Sequence, residues 1–374
     1  MRIAMDARVL ALPEVRGIGG YVLELLRHWP EAGDEFVLLS EDAVPEGRVA
    51  CPARVEYRRA ASPPGTRVRV WDWWSAPRAL RGERADLLWT PANLPLPVRG
   101  LPQAVTVHDT ILQEKVAFAD RLDDLYFNRV APWWTRRYAD GVVTVSGFSR
   151  GRIAEVFAYP RERVRVIHNG TSFAPASFAD RAAAREHLRA AGLVDGPYLL
   201  ALGAESAWKN TDGALRAFAV VAEEDPEVRF VVAGVQGGAL ERFAAMAREL
   251  GLAERTRLLG FQDSAVRDAL YQGAEAFLYA SLFEGFGLPP LEAMALGTPV
   301  VASDAASIPE VVGDAALVVD AADAAAAGAA LLSVLADPEL AARLAERGRR
   351  NVGRFGWAAS AARHREFFKE LAGC

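Results

Sequence analysis

The chain has 374 residues, 51% of them apolar and 24% charged, which is the size of two ordinary domains and the composition of a soluble globular protein. A net charge of −5 argues against a general nucleic-acid binder, so no nucleic-acid partner is expected. No apolar run approaches the ~20 residues a membrane helix needs, so no membrane span is expected.

Short apolar runs alternate with helical patterns, the mark of βα repeats on parallel sheets. In the first half, strands are predicted at Arg2–Met5, Phe36–Leu39, Val55–Tyr57, Leu87–Trp89, Ala104–Val107, Val142–Val145 and Val164–Ile167. The start, Met-Arg-Ile-Ala-Met-Asp, turns polar too soon for a signal peptide, and a cytoplasmic protein is expected. Cys51 and Cys374 suggest neither a disulfide framework nor a metal site. Residues 1–180 carry 24 basic and 22 acidic side chains and the rest 19 and 26, which fits two units with different partners.

Arg16-Gly17-Ile18-Gly19-Gly20-Tyr21 follows the first strand and opens a predicted helix, Tyr21–Trp29. Glycines there let the backbone approach a phosphate closely, although a tight strand–helix turn explains them equally well. A dinucleotide fingerprint would want glycine at 17, 19 and 22; position 22 is Val, so nicotinamide binding is poorly supported. The stretch Thr66–Trp74 mixes arginines with three Trp and fits a core helix or strand, with an acceptor wall as the second reading. Trp133-Trp134-Thr135-Arg136-Arg137 fits helix packing. His108 and Asp109 end a buried strand. A lone His is more often structural, but the carboxyl end of a strand is where open α/β sheets bind ligands. Asp109 is read as orienting the loop. Ser146 or Ser149 is expected to cap a helix.

A break at Asn169–Asp180 precedes a second cycle. Its strands are predicted at Tyr198–Leu202, Arg229–Ala233, Arg257–Leu259, Ala276–Tyr279, Pro299–Ala302 and Ala316–Val319. Lys209 stands out because the chain has 40 Arg and only three Lys; its compact charge suits phosphate oxygens. Trp208 beside it is expected to be buried. Gly234–Gly238 is a further glycine-rich loop after a strand. Ala321–Leu335 reads as a plain surface helix of high propensity. No Asp-x-Asp occurs, so the carboxylate pair that holds a hard cation on a diphosphate is missing.

The most informative segment is Glu284-Gly285-Phe286-Gly287-Leu288-Pro289-Pro290-Leu291-Glu292, closed by Gly297. It reads as a glycine loop entering a short helix, with Pro suited to the first turn and Gly297 to the helix end. Such a loop brings amides and a helix N-terminus toward an anion, while two carboxylates accept hydrogen bonds from sugar hydroxyls. The other reading of Glu292 is a first-turn residue that only offsets the helix dipole.

With seven residues between them, Glu284 and Glu292 resemble the paired-glutamate signature of retaining GT-B glycosyltransferases, in the form found in glycosyltransferase family 4 (group 1). The likeness runs from Asp6 to about Asp320. It implies two doubly wound, Rossmann-like α/β domains facing each other across a cleft. The acceptor-side domain would span residues 1–180 and the nucleotide-sugar domain 181–355. Residues 356–374, a helix at about Trp357–Leu371, would cross back to the first domain. The implied activity is metal-independent transfer of a hexose from a nucleoside-diphosphate sugar to a hydroxyl of a glycan, glycolipid or small-molecule acceptor, with no cofactor. GDP-mannose is the first donor to consider, and UDP- or dTDP-hexoses are open. The likeness also allows peripheral contact with the inner membrane surface.

By the same resemblance His108 touches the transferred sugar and diphosphate region, Lys209 the diphosphate, and Glu284 the sugar, these three being the catalytic set. Glu292 holds the ribose hydroxyls. Gly17, Gly19, Gly20, Gly203, Gly234, Phe261, Gly285, Phe286, Gly287 and Leu288 line the donor. The chain departs from the family where Gly20, Ala204 and Trp208 stand in place of Arg; Arg16, or another Arg swinging into the cleft, is the candidate to supply the missing charge. Alternatives are a GT-B sugar-nucleotide epimerase, a phosphorylase, or a scaffold that binds donor without turnover.

Overall fold

Parallel strands buried on both faces need apolar residues at every position, and the chain supplies them in short runs. In the computed structural model, which describes residues 1–15, 17–62, 70–116, 121–171 and 178–374, all the predicted strands form. The chain divides into two compact units. Unit 1 comprises Met1–Ser172 and Phe355–Cys374, and unit 2 comprises Phe173–Arg354.

Unit 1 holds β1 (Arg2–Asp6), β2 (Glu35–Ser40), β3 (Arg54–Arg59), β4 (Leu87–Thr90), β5 (Gln103–Thr106), β6 (Gly141–Thr144) and β7 (Val164–Val166). They form one parallel sheet in the order β3-β2-β1-β4-β5-β6-β7. Side chains alternate between its faces. Ile3, Met5, Leu87 and Trp89 enter one core with Leu25, Phe36 and Phe368, whereas Ala4 and Leu88 enter the opposite one with Trp71 and Leu80.

Unit 2 holds β8 (Tyr198–Leu202), β9 (Arg229–Ala233), β10 (Thr256–Leu259), β11 (Ala276–Tyr279), β12 (Val300–Ser303) and β13 (Leu317–Val319). Their order is β10-β9-β8-β11-β12-β13, again all parallel. Strand order reverses between β1 and β4 and between β8 and β11. At such points the flanking loops diverge and leave a crevice at the carboxyl ends.

The bounds of the two units differ from those expected. The unit boundary falls before residue 178, because the Phe178 amide donates to Gln272 Oε1 (3.1 Å) and Gln272 Nε2 returns a bond to the Phe178 carbonyl (2.8 Å). Phe355 belongs with unit 1, where its carbonyl accepts from the Thr171 amide and its ring packs on His168. The last helix, Trp357–Ala372, is part of unit 1 and buries Trp357, Ala361, His364 and Phe368.

The alanine-rich segment is the helix Ala324–Ala336, and it is packed rather than plain surface. It buries Ala327, Gly328, Leu331 and Val334, and a Cβ on Gly328 would sit 2.6 Å from Val220 Cβ on the helix Thr211–Glu224. Small residues serve close helix approach as well as propensity, and composition alone does not separate the two. In the aromatic stretch, Thr66–Arg69 lie outside the described residues. Trp71 is fully buried, but Trp73 and Trp74 are exposed (54% and 63%), so the core reading holds for Trp71 alone. Likewise Trp134 is buried and Trp133 exposed. No single helix among the described residues is long and apolar enough to cross a membrane.

Candidate functional site

In unit 2 the chain leaves β8 at Gly203. A Cβ there would lie 2.6 Å from Val232 Cγ1 and 2.7 Å from Val235 Cγ2, so only glycine lets this loop lie against β9. Thr211 holds the loop by accepting from the Ala204 amide (3.1 Å) and donating to the Ala204 carbonyl (3.2 Å). A short turn, Ala207–Lys209, then ends on Asn210 in the left-handed region (φ 53°), where Asn is tolerated. The Asn210 side chain caps the helix Thr211–Glu224 and also donates to the carbonyls of Ala280 and Ala321. Lys209 is thereby aimed toward the end of β11.

From β11 the chain runs through Ser281 into the Glu284–Gly287 loop. The Leu282 amide donates to the Trp208 carbonyl (2.7 Å), tying this loop to the Lys209 turn. Ser307 Oγ, fully buried, shares its proton between the carbonyls of Glu284 (2.9 Å) and Phe286 (2.8 Å). Gly287 adopts φ 103°, which an L side chain rarely takes, and the helix Leu288–Ala295 starts from it. Gly297 (φ 77°) stands just past that helix's end, as expected.

These elements bring together two of the predicted groups. Lys209 Nζ lies 2.8 Å from Glu284 Oε1, with the two side chains 30% and 15% exposed. Glu292 is the fifth residue of its helix, not a first-turn residue, so compensation of the helix dipole does not explain it. Its Oε2 accepts from the Tyr271 hydroxyl at 2.9 Å. Close packing raises its pKa, opposed by that hydrogen bond and by the Arg267 charge. Gly234 (φ 92°) at the end of β9 hydrogen-bonds the Gly260 carbonyl, and Gly203, Gly234 and Gly260 line neighbouring strand ends. Phe261, one residue on, is exposed. Trp208 is half-buried, not buried as expected.

In unit 1 the glycine loop is shorter than predicted. The helix spans Ile18–Arg27, so Gly19 and Gly20 lie inside its first turn and only Gly17 (φ 52°) belongs to the turn before it. A Cβ on Gly19 would meet Val15 Cγ1 at 2.5 Å, whereas Gly20 faces open space. Arg16 lies outside the described residues.

His108 follows β5. Its amide donates to Asn93 Oδ1 (2.9 Å), and its Nε2 bonds the Pro91 carbonyl (3.0 Å). That carbonyl only accepts, so the proton sits on Nε2 and Nδ1 is left as an acceptor. Although the residue is partly exposed, burial lowers its pKa to about 4, against the effect of the Pro91 bond. Its ring packs edge-on against Tyr21 at 4.8 Å. Asp109 accepts from the Ile111 amide, the loop-orienting role expected, and Ser146 caps the helix Gly147–Val156.

Sequence reasoning missed Tyr271, Tyr279, Ser307 and Asn93, which act on the predicted groups without belonging to a motif. Among the described residues no cluster of three or more His, Cys, Asp and Glu is arranged to hold a metal ion.

The arrangement presents a cation and a carboxylate at the switch point of unit 2, with a second carboxylate on the adjoining helix. It suits a ligand bearing both anionic and hydroxyl groups. Two family models match the chain. A model described as "Glycosyl transferases group 1" matches residues 185–351, and one described as "Glycosyltransferase Family 4" matches residues 15–174. The O-antigen chain mannosyltransferase B of Escherichia coli is 34% identical over 221 residues, 58% of this chain and 57% of that protein. The chain thus spans a little over half the length of that relative. The MMP alpha-(1->4)-mannosyltransferase of Mycolicibacterium hassiacum is 30% identical over 319 residues, 77% of this chain and 71% of that protein. Among solved structures, Anabaena HepE in complex with UDP-glucose has the same fold, with a TM-score of 0.77 at 18% identity over 99% of both chains.

Proposed function

The chain belongs to the group 1, family 4 glycosyltransferases of GT-B fold, and on that premise we propose that it is a retaining, metal-independent hexosyltransferase. It moves a hexose from a nucleoside-diphosphate sugar to a hydroxyl of a glycan, glycolipid or small-molecule acceptor. The observation that carries this reading is the Lys209–Glu284 pair at the carboxyl ends of β8 and β11. Lys209 would pair with the diphosphate and stabilise charge on the leaving group, together with the Gly285–Gly287 backbone and the start of the following helix. Glu284 would hold the sugar and Glu292 the ribose. Among the described residues no side chain near the pair is placed as an obvious base, so the leaving phosphate would take the acceptor's proton during same-face attack. The role assigned to His108 is contact with the transferred sugar through its acceptor Nδ1.

GDP-mannose is the first donor to test, because two relatives bear mannosyltransferase names. A UDP-hexose is second, because the HepE structure holds UDP-glucose. The test is a donor panel by calorimetry and nucleoside-diphosphate release, with EDTA, on wild type, Lys209→Ala, Glu292→Ala and His108→Ala. One donor should bind and turn over despite EDTA, with affinity lost in the Lys209 and Glu292 variants. A panel with no binder, or binding indifferent to both residues, would overturn the assignment. Ala204 and Trp208 in place of Arg favour a second reading, a chain that binds donor without transfer. Tight binding with no release on any acceptor would select it.

A further inference from the structure

In unit 1 the end of β3 and the helical segment Trp71–Leu80 enclose a cavity of about 600 Å³ that the proposed chemistry leaves unused. Ala60, the residue after β3, is buried with Trp71 and Leu80, which brings the strand end against that segment. Trp74 and Arg78 are four residues apart and share a face of it. They line the cavity together with Arg59, Ser62 and Ser75. Its charge is one-sided, with no acidic side chain in the lining among the described residues. Neighbouring arginines are matched by glutamates: Arg2 lies 2.6 Å from Glu35, Arg54 2.8 Å from Glu56 and Arg58 2.7 Å from Glu83. Arg59 has only the Glu41 carbonyl, at 3.2 Å from Nε, and Arg78 has no partner among the described residues. Solvated guanidinium groups alone would say little, but two other features share the cavity. Trp73 packs on Trp134 with ring centres 4.1 Å apart, whereas Trp74 is 63% exposed and meets no ring or cation among the described residues. Ser62 and Ser75 share one hydrogen bond, with their Oγ atoms 3.3 Å apart. Two hydroxyls and one bond leave one O–H proton without an acceptor among the described residues.

Each feature suits a different part of one ligand. Two guanidinium groups with free N–H forks suit a phosphate, which accepts bidentate bonds and carries more than one charge. An open indole face suits the apolar side of a sugar ring, and the spare hydroxyl proton suits a ring or phosphate oxygen. The place of the cavity says which sugar. Unit 1 is all parallel, so the end of β3 and His108, which follows β5, lie at the same edge of the sheet. Four steps along the sheet separate β3 from β5, roughly 19 Å at about 4.8 Å per step. That is farther than one sugar ring spans. We propose that the cavity is a distal acceptor subsite for a phosphorylated sugar unit of an extended acceptor, with the phosphate on Arg59 and Arg78 and the ring on Trp74. The acceptor role rests on the transferase reading above, whereas recognition of a sugar phosphate rests on the cavity alone.

The probes are mannose 6-phosphate and glucose 6-phosphate, with mannose, glucose and inorganic phosphate as their parts, titrated by calorimetry into the full chain without donor. One of the sugar phosphates should bind at least about tenfold more tightly than either of its parts, and less tightly as salt is raised. Arg59→Gln and Arg78→Gln should each weaken it about five- to tenfold. Trp74→Ala should bring it down to the affinity of inorganic phosphate. All three side chains are exposed, so each variant should melt within about 2 °C of wild type. A phosphate could also settle on Lys209, and Lys209→Ala is the control, expected to leave sugar-phosphate affinity unchanged. Loss of binding in Lys209→Ala but not in the arginine variants places the ligand in the donor site and overturns the proposal. So does inorganic phosphate binding as tightly as the sugar phosphates, or a wild type that binds neither of them. Affinity for GDP-mannose or UDP-glucose, whichever the chain binds, should be the same in the Arg59, Arg78 and Trp74 variants as in wild type. A wild type that binds a sugar phosphate but no donor overturns the transferase reading and the acceptor role with it, and leaves the sugar-phosphate site standing.

Discussion

The buried His364 makes unit 1 acid-sensitive in a way that can be worked out in advance. His364 is fully buried on the last helix, with Nδ1 2.8 Å from the Ser360 carbonyl and Nε2 2.7 Å from the Tyr21 hydroxyl. The carbonyl only accepts, so Nδ1 carries the proton and Nε2 accepts from Tyr21. Trp89 Nε1 in turn donates to Thr106 Oγ1 (3.0 Å), which lies 3.4 Å from the same Tyr21 hydroxyl. A second proton on His364 would set N–H against a hydroxyl already donating to it, and burial lowers the pKa from 6.5 to about 4. Between those values the unfolded chain binds a proton that the folded chain does not. Stability is therefore complete above pH 7.5 and falls as pH falls through the window. Between pH 7.5 and pH 5 the loss is about 2 kcal/mol, or about 30-fold in the unfolding constant. Every Trp except Trp208 is in unit 1, so denaturant titrations followed by tryptophan fluorescence report on this unit. His364→Gln should lose that part of the pH dependence and retain the part contributed by His108, whose pKa burial also lowers to about 4. If the variant loses stability between pH 7.5 and pH 5 as steeply as wild type, the buried-neutral account of His364 is wrong.

Three further outcomes follow from the geometry of unit 2. Gly203→Ala should cost about 1–3 kcal/mol by overpacking against Val232 and Val235, read as a lower calorimetric transition; an unchanged transition refutes the close approach. Ser307→Ala removes a hydroxyl that pins the Glu284 and Phe286 carbonyls, and should raise the donor KM severalfold, about 1 kcal/mol, with little change in circular dichroism. An unchanged KM would mean the loop is held by other contacts. Tyr271→Phe removes the hydrogen bond that opposes the raised pKa of Glu292, so the carboxylate should protonate at higher pH. Nucleotide affinity in that variant should fall away at higher pH than in wild type; coincident profiles would dissociate Tyr271 from Glu292.

The strands were legible because a parallel sheet covered on both faces leaves little room for polar residues. Runs such as Ile3–Met5 and Phe277–Tyr279 therefore announce themselves. Helix starts were less legible. Gly19 and Gly20 count against helix by propensity, yet Gly19 lies in the helix Ile18–Arg27 because Val15 occupies the space a side chain would need. The surface reading of Ala324–Ala336 failed for a related reason, since alanine marks both an indifferent surface and a tight helix contact. Within the site, Lys209, Glu284 and Glu292 were visible as motif residues. Tyr271, Tyr279 and Ser307 were not, because they act through burial and a single hydroxyl each, and a buried Tyr in sequence looks like any other core aromatic.

The pairing at Lys209 also bears on why lysine stands there in a chain with 40 Arg and three Lys. A guanidinium facing Glu284 would bind it fork to fork, and moving to a phosphate would surrender two hydrogen bonds at once. An ammonium on a flexible stem holds Glu284 by one 2.8 Å contact and reaches a new partner by turning about its own bonds. The same compactness limits it to a point charge. On the proposed reading, Lys209 without an Arg at 204 or 208 would leave more of a diphosphate's charge to backbone groups than an Arg–Lys pair would. That burden would fall on the loop Glu284–Gly287, whose Glu284 and Phe286 carbonyls are tied back by Ser307 and whose Gly287 takes a φ of 103° to start the helix behind it. The absence of Arg at 204 and 208 and the rigid mooring of this loop are, on this reasoning, two sides of one electrostatic arrangement.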